Sequence, residues 1–76
     1  MNLSIYVIEL HFIGKTYYVK DINFSFQHNI EKYEITNLKS DAAMFFGIKT
    51  AQEAMKNVME LKPRLKKYIE YKITKI

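Results

Sequence analysis

The chain contains no cysteine, and it carries only two glycines and one proline among its 76 residues. The absence of cysteine excludes disulfides, cysteine nucleophiles and cysteine-based zinc sites, and it fits a cytosolic protein. Two glycines are too few for a phosphate-cradling loop in addition to ordinary turns. No apolar run approaches the roughly 20 residues that a membrane-spanning helix needs, and no signal peptide is apparent. We therefore expect a soluble cytoplasmic protein without a membrane partner.

Apolar residues make up 49% of the chain, which is enough for one core in so short a sequence. We expect a single domain over residues 1–76. The net charge of +4 is uneven along the chain. Residues 1–38 hold three lysines against four acidic residues, whereas residues 39–76 hold nine lysines or arginines against four acidic residues. The basic character therefore belongs to the C-terminal half.

Residues 5–22 predict a β-hairpin with a two-residue loop at Gly14-Lys15. Glycine in the first loop position supplies the positive φ that a type II′ turn requires. The cross-strand pairs that follow are Glu9 with Lys20, His11 with Tyr18, Leu10 with Val19 and Phe12 with Tyr17. A one-residue slip would move every side chain to the wrong face, so this agreement between the turn and the apolar pattern favours the hairpin.

Past Asp21 the alternation continues to Phe26, which favours a longer second strand, and residues 32–36 predict a third strand. Ser40 is expected to cap a short helical turn that reaches Phe46 and ends at Gly47.

Thr50 and Glu53 stand in the spacing of a capping box and predict the start of an amphipathic helix. Pro63 disfavours helical geometry in the residue before it, so this helix should end near Leu61. Period-two alternation from Lys67 onward predicts a closing strand. The predicted fold is therefore α+β, in the order β-β-β-(short α)-α-β. A four-stranded, mostly antiparallel sheet carries one amphipathic helix on one face, and the position of the closing strand stays open.

In several segments along its length, the chain resembles small uncharacterised accessory proteins of Gram-positive phages and prophages. The matching segments are Tyr6 to Leu10, Gly14-Lys15, Tyr17 to Lys20, Ile35-Thr36, Leu38, Ala42 or Ala43, Phe46, Thr50, Glu53-Ala54 and Tyr68 to Ile76. The chain departs from the pattern by a longer stretch between Lys20 and Tyr33. The resemblance implies an origin in a mobile element and a compact fold. It supplies no catalytic residues, and it favours proteins that bind a host factor.

Catalytic and metal-binding constellations are absent from the sequence pattern. His11 and His28 have no acidic residue at ligand spacing, and no serine has a neighbouring base. We therefore expect no enzyme, no catalytic residues, no metal and no cofactor.

Two groups of residues remain as candidates for partner binding. Basic residues with an adjacent tyrosine suit an acidic protein surface or a phosphate backbone, and they equally suit a solvated connection that keeps the protein soluble. This first group comprises Lys62, Arg64, Lys66, Lys67, Tyr68 and Lys72. Surplus aromatic residues suit a binding interface. They equally suit a second small core, formed where the loop of residues 21–33 folds over the open face of the sheet. This second group comprises Tyr18, Phe24, Phe26 and Phe45.

The leading hypothesis is a non-enzymatic phage or prophage protein that binds a host protein or host ribonucleoprotein complex and inhibits or redirects it. The specific form of this hypothesis is an anti-defence, anti-CRISPR-like inhibitor. Such a protein would act in the cytoplasm of an infected or lysogenic bacterium. The alternative is a small basic nucleic-acid-binding protein. The second alternative is a self-assembling structural protein, with a homodimer as its simplest form.

Overall fold

The structure is a computed structural model, which describes residues 4–24, 30–61 and 63–76. In residues 22–24 and 30–32 the description covers the backbone. The strands are β1 (Ile5–Phe12), β2 (Lys15–Phe24), β3 (Ile30–Thr36), β4 (Phe45–Phe46) and β5 (Glu70–Lys75). The helix α1 covers Ile48–Leu61, and short 3-10 turns cover Lys39–Asp41 and Pro63–Leu65. The predicted α+β class is confirmed, with one short strand more than the sequence suggested.

Strand β1 is the central strand of the sheet, because its two edges pair with different partners. Glu9 lies opposite Tyr18 of β2 and also opposite Lys72 of β5, so β2 and β5 occupy opposite edges. All these pairings are antiparallel, and β3 continues the sheet outward from β2. The closing strand therefore lies beside the first strand, which settles the alternative that the sequence left open.

Strands β1 and β2 separate beyond the pair Glu9–Tyr18, and residues 43–47 fill the space between them. The Ala43 N–H donates to the Val19 carbonyl at 2.8 Å. In an uninterrupted hairpin, β1 would provide the partner of this carbonyl. On the other side, Phe45–Phe46 pairs with the start of β1, and the Gly47 N–H donates to the Ser4 carbonyl at 3.0 Å. A two-residue strand thus closes the sheet where the hairpin opens.

The hairpin loop is Ile13-Gly14, one residue earlier than the predicted loop. Both residues have positive φ, 49° and 71°, which is the combination of a type I′ turn. As a result Leu10 faces Tyr17 and His11 faces Thr16. The predicted pairs Glu9 with Lys20 and His11 with Tyr18 are therefore wrong. The error is a shift of two residues, which preserves the face on which every side chain lies.

The expected continuation of β2 is confirmed as far as Phe24, whereas Phe26 lies outside the described residues. The third strand is confirmed over Ile30–Thr36. Between Val19 and Asp21 the β2–β3 ladder shifts register, so that Lys20 is the extra residue of a bulge. This bulge lies where β2 leaves β1, and bulges bend the strand that carries them.

The segment before the helix differs from the prediction in three ways. Ser40 lies within a 3-10 turn whose N-cap is Leu38, so it does not cap a helix, and Phe46 lies in a strand. Gly47, predicted to stop a helix, instead precedes α1, and its carbonyl accepts from the Ala51 N–H at 3.3 Å. The predicted capping box at Thr50 and Glu53 is wrong because both residues lie inside α1. The predicted end of the helix at Leu61 is confirmed.

The core lies between α1 and one face of the sheet, which we call the helix face. Its buried residues are Ile8, Leu10, Val19, Ala54 and Val58. On the helix, Ala51, Ala54 and Val58 recur at the spacing of one helical face, as predicted. The opposite face of β1 carries Val7, Glu9 and His11 by strand alternation, and Val7 is completely buried there.

The left-handed backbone of Ile13 is unfavourable for a β-branched residue, and its side chain is 81% exposed. We expect Ile13→Asn to raise the free energy of unfolding by about 1 kcal/mol, because asparagine tolerates positive φ and Asn-Gly is the preferred type I′ loop. Urea unfolding of the two proteins measures the change. The control is Ile13→Val, which keeps the β-branched strain and should leave the stability unchanged. An equal gain in both variants would contradict strain at this turn.

Candidate binding surface

The basic turn, residues 63–68, connects α1 to β5 and presents a cluster of cationic side chains. Its backbone is folded tightly, with the Lys66 N–H donating to the Pro63 carbonyl at 3.3 Å and the Tyr68 N–H donating to the Leu65 carbonyl at 2.9 Å. Arg64, Lys66, Lys67 and Tyr68 are all exposed. Lys62, which the sequence prediction included, lies outside the described residues.

None of the three cations of the basic turn has a carboxylate partner among the described residues. The contact of salt-bridge length found in those ranges joins the Glu9 carboxylate and the His11 ring on the sheet. The Lys67 Nζ lies 5.4 Å from the centre of the Tyr68 ring, so the ammonium group covers one face of that aromatic ring. The positive charge of Arg64 and Lys66 is therefore free to meet an external anionic group.

An open pocket of about 430 Å³ adjoins the basic turn at the C-terminal end of α1. Its described lining consists of Leu61, Pro63, Arg64 and Leu65. Three of these side chains are apolar, and the fourth carries the guanidinium group. Aromatic or aliphatic anchors in apolar pockets, with arginine nearby, are typical of the centres of protein interfaces.

The other predicted site residues lie elsewhere on the fold. Lys72 is exposed on β5, opposite Glu9 and on the face away from the helix. Tyr18 is half-buried on β2 and lies in the same cross-strand row as Glu9. The side chain of Phe24 is outside the description, as is Phe26. The structure thus brings together Arg64, Lys66, Lys67 and Tyr68 in the basic turn, and it places Lys72 and Tyr18 in one cross-strand row with Glu9 on the sheet.

The predicted aromatic interface named Phe45, but this side chain packs against the core cluster. Its neighbour Phe46 is the exposed member of the pair, at 60%. Phe46 of β4 lies opposite Ile5 of β1. On the other edge of β1, the Ile76 N–H donates to the Ile5 carbonyl. Phe46, Ile5 and Ile76 therefore form an apolar row across the sheet. Ile76 is 56% exposed, so the row is exposed at both of its ends. The sequence contained no signal for this row, because it depends on the short strand β4.

A cross-strand polar cluster occupies the face of the sheet opposite the helix. His11 Nε2 lies 2.9 Å from Glu9 Oε1, and Thr16 Oγ1 lies 3.3 Å from His11 Nδ1. The consistent assignment has Nε2–H donating to the carboxylate and the threonine hydroxyl donating to Nδ1. The cluster joins neighbouring residues of β1 and β2 in the observed register. We interpret it as a support for that register.

The pKa of the Glu9 carboxyl lies below its usual value. The largest cause is the nearby Thr74 hydroxyl, which outweighs the effect of burial, and His11 and Lys72 lower the pKa further. The Thr74 hydroxyl is itself buried and makes no hydrogen bond of ordinary geometry. We therefore interpret its contact with the carboxylate as a polar interaction weaker than a full hydrogen bond.

Two tyrosines from the edge strands meet on the helix face. Tyr33 of β3 and Tyr71 of β5 both pack against the core cluster. Burial raises the pKa of the Tyr71 phenol to about 12, and Tyr33 adds to the rise. Tyr71 is consequently neutral at physiological pH. Each of the two edge strands therefore contributes a tyrosine to the border of the core beneath the helix.

Within residues 4–24, 30–61 and 63–76, no group of three or more histidine or acidic side chains is arranged to hold a metal ion. Across the same ranges, no helix has both the length and the apolar character needed to span a membrane. Comparison of the chain with protein-family models, with curated proteins and with solved structures finds no match.

We expect Thr74→Val to raise the pKa of Glu9 toward its ordinary value of 4.5, because the largest lowering influence is removed. A depressed carboxyl pKa stabilises the folded state above the ordinary pKa, and this contribution is lost as the pH falls through the folded-state pKa. The variant should therefore lose more stability at pH 7 than at pH 3. NMR titration of the Glu9 carboxyl carbon and urea unfolding at both pH values measure these changes.

Thr16→Val is the matched control, since Thr16 contacts His11 and not the carboxylate. It should change the pKa of Glu9 less than Thr74→Val does. An unchanged Glu9 pKa in the Thr74 variant would contradict the assigned cause.

Proposed function

We propose that this chain is a non-enzymatic binding domain that docks onto an acidic surface of a host protein through the basic turn. The observation that carries the proposal is the arrangement of Arg64, Lys66 and Lys67. All three are exposed, and none has a carboxylate partner in the described part of the chain. An external anionic surface would supply the missing partners at little cost, since exposed cations lose only part of their hydration on pairing.

The apolar pocket favours a protein partner over a nucleic acid. Leu61, Pro63 and Leu65 offer a place for an aliphatic or aromatic side chain of the partner, directly beside Arg64. A nucleic-acid site of this kind would use Tyr68 as a stacking platform. Lys67 already covers one face of that ring. The combination of pocket and covered ring supports the protein-binding alternative.

The biological setting we propose is a phage or prophage protein acting on a factor of its bacterial host. The resemblance to phage and prophage accessory proteins supports this setting, and inhibition of a defence system such as CRISPR is its specific form. Inhibition would follow from occupancy: a small bound domain blocks the surface that the host protein uses for its own partner. No catalytic step is needed.

We predict that charge reversal in the basic turn weakens partner binding. We expect Lys66→Glu/Lys67→Glu to weaken the complex at least about tenfold, because favourable contacts with an acidic surface become repulsive. The measurement is affinity capture of partners from a bacterial host lysate by the tagged chain, with and without nuclease, followed by quantitative mass spectrometry.

The matched control is Lys49→Glu/Lys56→Glu, which makes the same change in net charge on exposed positions of α1. This control should retain the partner. Equal loss of the partner in both variants would show that net charge alone causes the loss, which would contradict a specific binding site. Loss of every partner on nuclease treatment would contradict the protein-binding proposal and support the nucleic-acid alternative.

A further inference from the structure

Strand β5 has one edge paired with β1 and a second edge without a strand partner among the described residues. The hydrogen bond from the Ile76 N–H to the Ile5 carbonyl fixes which residues point to each side. In an antiparallel ladder, alternate residues exchange hydrogen bonds with the same neighbour. Starting from Ile76, the residues directed toward β1 are Thr74, Lys72 and Glu70.

The remaining residues of β5 direct their N–H and C=O groups outward. These residues are Tyr71, Ile73 and Lys75. On the other edge of β1, the Gly47 N–H donates to the carbonyl of Ser4, an even-numbered residue. The bond from Ile76 uses the carbonyl of the odd-numbered Ile5. Even-numbered residues of β1 thus face β2 and β4, and odd-numbered residues face β5. The free edge of β5 is a regular row of donors and acceptors.

The side chains along this edge are predominantly cationic. Lys72 and Lys75 are exposed, and Glu70 is the single carboxylate of the strand. The basic turn leads directly into β5, so Lys66 and Lys67 continue the positive charge at its N-terminal end. Lysine on an edge strand discourages pairing with uncharged or basic strands, and it favours an acidic one.

We propose that the acidic partner binds as an extended segment that adds to the free edge of β5, with carboxylates opposite Lys72 and Lys75. This inference rests on the proposed function, because it names the form in which the acidic partner meets the chain. Backbone hydrogen bonds to Tyr71, Ile73 and Lys75 hold the segment, and the lysines select its charge. Such strand addition is an established way in which proteins recognise peptides.

The spacing of the two lysines defines the partner further. Lys72 and Lys75 are three residues apart, so they lie on opposite faces of the sheet. A complementary strand therefore carries acidic residues at positions i and i+3, one on each face. Its residue opposite Glu70 is not acidic, because like charges directly opposite are destabilising.

A second copy of the chain is a poorer occupant of the same edge. Antiparallel pairing of two β5 strands about Ile73 places Lys72 of one copy opposite Thr74 of the other, and Tyr71 opposite Lys75. In this register Glu70 lies opposite Ile76, so neither lysine has a carboxylate directly opposite it. Pairing about Tyr71 instead places Lys72 opposite Glu70 in both copies, but it directs Lys75 of each copy toward the basic turn of the other. Charge complementarity thus favours a different, acidic chain.

The test uses the intact protein and a seven-residue capped peptide with the order threonine, valine, glutamate, valine, threonine, glutamate, threonine. A matched peptide has proline in place of the second threonine, which lies opposite Ile73 when the two glutamates face Lys75 and Lys72 in antiparallel pairing. This exchange keeps the charge and removes a hydrogen bond of the ladder. We expect the first peptide to bind at least about tenfold more tightly than the second. NMR should show slower exchange of the Tyr71, Ile73 and Lys75 amides in the complex.

Variants of the protein provide a second arm. Lys75→Pro removes one outward N–H at an edge position where proline is tolerated, and Lys75→Gln removes the charge alone. Both should keep the circular dichroism spectrum of the parent protein. We expect the Lys75→Pro variant to bind the first peptide more weakly than the Lys75→Gln variant does.

Equal affinity for the two peptides, with amide shifts confined to the basic turn, would overturn strand addition and leave the proposed function standing. Failure of both peptides to bind would also overturn it, and the capture experiment with Lys66→Glu/Lys67→Glu then decides the proposed function separately. Protection of the three amides that grows with protein concentration in the absence of peptide would assign the edge to a second copy instead.

Discussion

The hydrogen-bonding alternation of β1 is the constraint on which the rest of the structure depends. Odd-numbered residues of this strand bond to β5, and even-numbered residues bond to β2 and β4. The same alternation places Ile8 and Leu10 under the helix, and Glu9 and His11 on the other face. One strand thereby orders the sheet and the core. It also leaves β5 as an edge strand that follows directly from the basic turn.

The sequence predicted the fold class, the helical face and the end of α1 because these features depend on local patterns. Apolar residues recur at helical spacing through Val58, and Pro63 limits the helix beyond Leu61. The hairpin register was missed by two residues because Ile13 adopts a left-handed backbone that β-branched residues disfavour. A glycine at either loop position satisfies a primed turn, so the sequence alone did not fix which one Gly14 occupies.

The start of the helix and the short strand β4 were unpredictable for a different reason. Gly47 has a φ of 91°, and its N–H is held by the Ser4 carbonyl, which is 43 positions earlier in the chain. A long-range hydrogen bond of this kind leaves no local signal, whereas the Thr50–Glu53 spacing gave a misleading one. For the candidate site, charge and composition identified the basic turn. The adjoining pocket and the free edge depend on tertiary packing and strand order.

Among residues 4–24, 30–61 and 63–76, β5 pairs on one side only and leaves a regular free edge beside the basic turn. The most direct test is site-resolved amide hydrogen exchange in the isolated protein. We predict slow exchange at Glu70, Lys72 and Thr74, whose N–H groups bond to β1, and fast exchange at Tyr71, Ile73 and Lys75. Uniform protection over residues 70–75 at every protein concentration would contradict it, because the outer edge would then be occupied within the chain itself.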